Sequence, residues 1–268
     1  MSTVDAPIGV FDSGLGGLTV LRALIDVLPD ESMVYFGDNA RSPYGPKPHA
    51  EVHAHAVEIA DVLVDRGVKA LVVACNSATA AALDTLQQRL SIPVVGVIEP
   101  GLRAAMNVTS TGRVGVIGTV GTIASGSYQR AAAAIDPTVE LTCAACPGFV
   151  EFVEAGDVDS DQVHVLAERL LAPVRNAGVD TLVLGCTHYP LLARTIGDAM
   201  GRDVVLVSSA DETAFAVRDL LADEKMLVSA PNGADHTFLT SGSVETFGEL
   251  GARFLGPEVA AVEGWRWS

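Results

Sequence analysis

Two cysteines occupy matching places in the chain, and a thiol so placed can serve as an acid, a base or a nucleophile. Cys75 ends the apolar run Leu71-Val-Val-Ala74 and is followed by Asn76-Ser77-Ala78-Thr79, polar residues suited to opening a helix. Cys186 ends Leu182-Val-Leu-Gly185 and is followed by Thr187-His188-Tyr189-Pro190. At a strand-to-helix junction, free backbone N–H groups and the positive end of the helix favour a thiolate or a bound carboxylate. Such help matters, because an unassisted thiol with a pKa of about 8.5 is only a few per cent ionised at neutral pH. His188, two residues from Cys186, can hold or pass a proton in that range. Each feature also has a plainer use. A free cysteine is commonly a small core residue, and Cys-x-His is a partial metal-ligand spacing.

Other segments offer binding groups. Asp12-Ser13-Gly14-Leu15-Gly16-Gly17 follows the first expected strand, and its glycines let backbone amides approach an anion. It matches neither the dinucleotide fingerprint nor the lysine-ending phosphate loop. Asp12 can accept a hydrogen bond or proton from an ammonium or a thiol, or can simply cap a helix. The turn-rich loop 37–48 carries Tyr44 and Gly45, which line a ligand or shape a rigid surface turn. Thr119 and Thr122 have hydroxyls suited to a carboxylate, with helix capping as the alternative. Cys143 and Cys146 have redox or zinc spacing, but no second pair completes a structural zinc site, so they read as structural. Glu154, in Phe149-Val-Glu-Phe-Val-Glu154, reads on pattern alone as part of a solvated face.

The elements that must position these groups alternate between strand and helix. Expected strands at 8–11, 33–36, 70–73 and 93–97 enclose helices at 18–27, 49–65 and 79–89. After Pro100 the pattern restarts, with strands at 113–117, 139–142, 181–184 and 204–207 and helices at 124–134, 161–176 and 191–200. Further helices are expected at 212–221 and 244–254, and a turn at 230–235. This is parallel α/β architecture. The segment Gly67 to Ser77 overlays Gly178 to His188 at an offset of 111, and Ile8 to Ser13 overlays Val114 to Thr119 at an offset of 106. Nearly equal offsets indicate an internal repeat. Functional groups in open parallel sheets sit beyond the carboxyl ends of strands, so two facing domains would aim Cys75 and Cys186 into one cleft from opposite walls.

Composition narrows the class. With 268 residues, 49% of them apolar, the chain can fill one large core or two ordinary ones. A formal charge of −16 opposes general binding to nucleic acid or anionic lipid. No apolar run is long enough to span a bilayer, and no basic-then-apolar leader is visible, so a cytoplasmic location with four reduced thiols is expected.

Taken together, Phe11 to Gly17, Pro43-Tyr44-Gly45, Ala74-Cys75-Asn76-Ser77-Ala78-Thr79, Cys146-Pro147, Val153-Glu154 and Gly185-Cys186-Thr187-His188-Tyr189-Pro190 resemble the signature blocks of the bacterial glutamate racemases, in the family's order. Two departures stand out: Ser77 where threonine is frequent, and Gly148 where a larger apolar residue is usual. The resemblance implies two pseudosymmetric α/β domains, 1–98 plus 208–268 and 99–207, with substrate between them. It implies interconversion of L- and D-glutamate for peptidoglycan without pyridoxal phosphate, metal or nucleotide. Cys186 would act on L-glutamate and Cys75 on D-glutamate. Asp12 would assist Cys75, while His188, positioned by Glu154, would assist Cys186. Ser13, Tyr44, Gly45, Thr119 and Thr122 would hold the carboxylates and ammonium, and Asn76, Ser77 and Thr187 would stabilise the intermediate. A homodimer is expected, and DNA gyrase enters as a partner by family resemblance only, because some members inhibit it.

Overall fold

The computed structural model describes residues 3–228, 233–259 and 261–267, so part of the turn expected at 230–235 lies outside the described residues. The elements run in the order β1 (Ile8–Asp12), α1 (Leu18–Val27), β2 (Met33–Gly37), α2 (His49–Asp65), β3 (Ala70–Val73), α3 (Asn76–Arg89), β4 (Val94–Gly96) and α4 (Ile98–Val108). They continue with β5 (Arg113–Gly118), α5 (Val120–Ala124), α6 (Ser127–Ile135), β6 (Glu140–Ala145), α7 (Phe149–Glu154), α8 (Asp161–Asn176), β7 (Thr181–Gly185), α9 (Ala193–Met200) and β8 (Val205–Ser208). The last are α10 (Ser209–Asp223), β9 (His236–Thr240), α11 (Val244–Leu255) and β10 (Val262–Gly264).

Two sheets result, both wholly parallel. The first has the order β10-β9-β2-β1-β3-β4 and the second β6-β5-β7-β8. The second reproduces the block β2-β1-β3-β4 of the first, with β5 in the place of β1 and β7 in the place of β3. That correspondence is the repeat read from the sequence, now expressed as topology. Helices cover both faces of each sheet, which is why the inner strands are continuously buried rather than alternating. Successive residues still face opposite layers. Val10, Tyr35 and Val72 pack in the layer that includes Leu18 and Leu21 of α1, whereas Phe11, Phe36 and Val73 pack in the layer that includes Ile59 of α2 and Leu86 of α3.

Several expectations needed revision. The helix expected at 124–134 is α6 and starts later, at Ser127, because Gly126 adopts a left-handed conformation at φ 69°; the preceding α5 meets the expected span only at Ala124. The helix expected from 191 begins as a 3₁₀ turn over Tyr189–Leu192 before α9. Helices α4 and α7 and strands β9 and β10 had no separate expectation. β9 pairs onto β2 and β10 onto β9, so the C-terminal region extends the first sheet. Among the described residues, no helix is long and apolar enough to cross a membrane.

Candidate active site

Both cysteines sit one or two residues beyond matching strands. Backbone pairing sets Phe11 beside Val73 in the first sheet and Ile117 beside Leu184 in the second. Continuation of each strand delivers Cys75 and Cys186 into a single pocket whose wall also includes Ser13, Tyr44, Gly45, Asn76, Ser77, Thr119, Thr187 and His188. Its free volume is about 20 Å³, room for roughly one water. Any ligand larger than a water therefore requires the walls to part or rearrange.

The walls touch in several places. Ser77, Thr119 and Thr122 form a triangle of hydroxyls, each pair at 3.0 Å, that joins the first sheet's helix to the second sheet's loop. Asn76 donates from Nδ2 to the Tyr128 hydroxyl at 2.8 Å, and Gly121 N–H donates to the Gly45 carbonyl at 2.9 Å. Gly16 lies against Thr187 and His188, and any side chain there would collide with both. Its role is close approach between the loop after β1 and the loop after β7.

Around Cys75 the neighbours are acidic or neutral. The residue caps α3, with Sγ accepting from Ala78 N–H at 3.5 Å. Burial and then the nearby Asp12 charge push its thiol up to about 12; the Ala78 amide and the Ser13 hydroxyl act in the opposite sense. Asp12 does not line the pocket. It is buried, accepts from Gly14 N–H through Oδ2 at 3.0 Å, and has no hydrogen-bond partner for Oδ1 among the described residues. An acceptor left so is suited to an incoming ammonium or thiol proton.

Around Cys186 the neighbour is cationic. His188 Nδ1 lies 3.9 Å from Sγ, and Nε2 lies 3.2 Å from Glu154 Oε1. Burial opposes a charge on the ring, but Cys186 and Glu154 outweigh it and push His188 up to about 10. Both ring nitrogens then carry protons, Nδ1–H directed to sulfur and Nε2–H to the carboxylate. Phe254 closes the ring off edge-on at 5.9 Å. Glu154, read on pattern as solvated, is 37% exposed and still reaches His188.

Thr122 is buried behind the pocket wall, where it supports Ser77 and Thr119 rather than facing the cavity. Cys143 and Cys146 pack on opposite faces of the second sheet, and burial pushes them up to about 11 and about 12. Among the described residues, no group of three or more His, Cys, Asp or Glu is arranged to hold a metal. The sequence reading missed Val150 and Pro43 in the pocket wall and Asp38 behind Tyr44. Pro43 and Asp38 belonged to a loop already singled out, but nothing local distinguished them from turn formers.

A family model described as Asp/Glu/Hydantoin racemase matches residues 8–217. The glutamate racemase of Mycolicibacterium paratuberculosis is 54% identical over 267 residues, covering 98% of this chain and 97% of the relative. Among solved structures, a glutamate racemase isoform from Bacillus anthracis matches with a TM-score of 0.93 at 45% identity over 97% of each chain. The glutamate racemase of Francisella tularensis, solved in complex with D-glutamate, matches with a TM-score of 0.92 at 35% identity over 98% of each chain.

Proposed function

This chain belongs to the Asp/Glu/Hydantoin racemase family, and we propose that it interconverts L- and D-glutamate by proton transfer between the substrate α-carbon and two thiols. The observation that carries the reading is the placement of Cys75 and Cys186 in one small pocket from equivalent strand ends. Racemisation needs a base on one face of the α-carbon and an acid on the other. Paired thiols meet that need in both directions.

From L-glutamate, the Cys186 thiolate removes the α-proton, and the electron pair of that C–H bond passes toward the α-carboxylate. The Cys75 thiol then delivers its proton to the opposite face, leaving Cys75 as thiolate and Cys186 as thiol. The reverse reaction exchanges these roles. A thiol pushed up to about 12 keeps its proton at neutral pH, which suits Cys75 to the acid role from L-glutamate. His188 Nδ1 lies near the Cys186 sulfur, so the ring can exchange a proton with it, and Glu154 holds the ring from the other side. The free Oδ1 of Asp12 is suited to receive the substrate ammonium or to assist Cys75 in the D-to-L direction. Asn76, Ser77, Thr187 and neighbouring amides supply donors to the charge that develops on the substrate, in a site that excludes bulk water. Ser13, Tyr44, Gly45 and Thr119 hold its polar groups, with Thr122 behind them.

In this reading the first lobe comprises 1–98 and 208–268, the second 99–207, and α10 leans on both α1 and α4. The enzyme acts in the cytoplasm as a homodimer and supplies D-glutamate for peptidoglycan. Incubation of either enantiomer in deuterated water should place deuterium at Cα of the product. Folded protein that forms product without it would remove the two-thiol scheme, and a panel of amino acids would show whether aspartate competes with glutamate.

A further inference from the structure

Behind the substrate-facing loop, one buried carboxylate gathers three segments that are far apart in sequence. Asp38 follows β2 and is fully buried. Its Oδ2 accepts from Arg41 Nε at 2.6 Å and, by a short hydrogen bond, from the Tyr44 hydroxyl. Its Oδ1 accepts from Ser241 Oγ at 2.7 Å and from Trp267 Nε1 at 3.0 Å. Arg41 also lies over the Trp267 ring at 3.8 Å, and Trp267 and Trp265 both pack on Phe36 of β2. A carboxylate so enclosed is tolerable only because both oxygens are satisfied, one of them partly by a guanidinium. The Tyr44 phenol is held firmly protonated by burial and by Asp38, so it remains a donor to that carboxylate.

The geometry points to Asp38 and Trp267 as positioning residues for the substrate loop: the C-terminal tail holds Tyr44 and Gly45 in binding register through one shared carboxylate. This rests on the glutamate reading above. Tyr44 and Gly45 line the pocket, and the Gly45 carbonyl accepts from Gly121 across the cleft. The loop therefore receives substrate on one side and is tied to the chain terminus on the other. Loss of the Trp267 N–H leaves an oxygen of Asp38 short of a donor, and the loop hydrogen bonds must readjust to compensate.

The two tryptophans of the chain, Trp265 and Trp267, both stand in this cluster, so emission from the native protein reports on it. L-Glutamate titrated into wild-type enzyme should change that emission, with a midpoint near KM. Trp267→Phe keeps an aromatic ring against Phe36 but removes the donor. It should raise KM for both enantiomers roughly three- to ten-fold with kcat nearly unchanged. Asp38→Asn should raise KM further and abolish the emission response, while Arg41→Lys, which keeps a cation but loses the stack, should fall between. Unchanged KM in Trp267→Phe and Asp38→Asn would overturn the assignment. So would a fall in kcat and melting temperature with no separate rise in KM, because that is the mark of a purely structural cluster. Failure of the wild-type enzyme to racemise glutamate would instead defeat the functional reading, whatever these variants do.

Discussion

The two walls of the pocket are built alike and charged differently. Each ends a buried parallel strand with a cysteine, and each strand holds the same position in its sheet. Cys75 then caps a long helix and sits beside the Asp12 carboxylate, whereas Cys186 leads into a 3₁₀ turn that brings a histidine within reach of sulfur. Burial and the anionic neighbour push the Cys75 thiol up, whereas the histidine gives Cys186 a partner for proton exchange. A repeated backbone thus supplies two equivalent positions, while a few side chains beside them make the surroundings of the two walls unequal.

The largest expected effect tests whether both walls are needed. Cys75→Ala and Cys186→Ala should each lower glutamate racemisation by about 10³-fold or more with an unchanged circular dichroism spectrum. Near-normal turnover in either would reduce the pair to one working wall. Next in size are the helpers. His188→Asn and Asp12→Asn should each cost on the order of 10²-fold in kcat/KM. That loss must be equal for the two enantiomers, because their equilibrium constant is unity. The difference between walls should appear in isotope effects instead. With α-deuterated substrates, His188→Asn should enlarge the effect for L-glutamate, and Asp12→Asn the effect for D-glutamate. The opposite assignment would exchange the roles of the cysteines.

A smaller effect concerns how closely the walls meet. Gly16→Ala places a methyl group against Thr187 and His188, and should raise KM while lowering the melting temperature by a few degrees. Wild-type behaviour in that variant would mean the loops part without cost. The smallest effect is on stability against pH. His188 is raised in the folded protein from an ordinary value near 6.5 to about 10, so its contribution is full below pH 6.5 and is lost as pH rises through 10. Cys75, raised to about 12, adds a loss in the same direction once the unfolded thiol ionises near pH 9. Thermal melts of wild-type and His188→Asn between pH 6 and 10 should converge at the alkaline end. Parallel curves would deny His188 its charge.

Much of the site is legible in the sequence because its determinants are local. A buried strand followed by polar helix starters marks a strand end, and Cys75 and Cys186 each have that signature within ten residues. His188 lies in the same short motif as its thiol. Glu154 was different. Its sequence pattern indicates only an acidic helical turn, and its meeting with His188 depends on how α7 folds back over the end of β7. Thr122 and Thr119 are alike in sequence, yet one faces the pocket and the other supports it, a difference set by the turn of α5.

The sequence by itself determined the alternation of strands and helices, the duplicated strand ends and the identity of the paired thiols, since these follow from hydrophobic period and from residue order. Only the tertiary structure decided that β9 and β10 extend the first sheet, that Trp267 reaches Asp38, and that Gly16 lies against the loop of the second cysteine. Parallel neighbours in a sheet are selected by packing across the whole fold, not by adjacency along the chain. The same holds for charge. A thiol's order in the sequence is fixed, but whether it keeps its proton depends on which carboxylate or imidazolium the fold brings beside it and on how much water the fold removes.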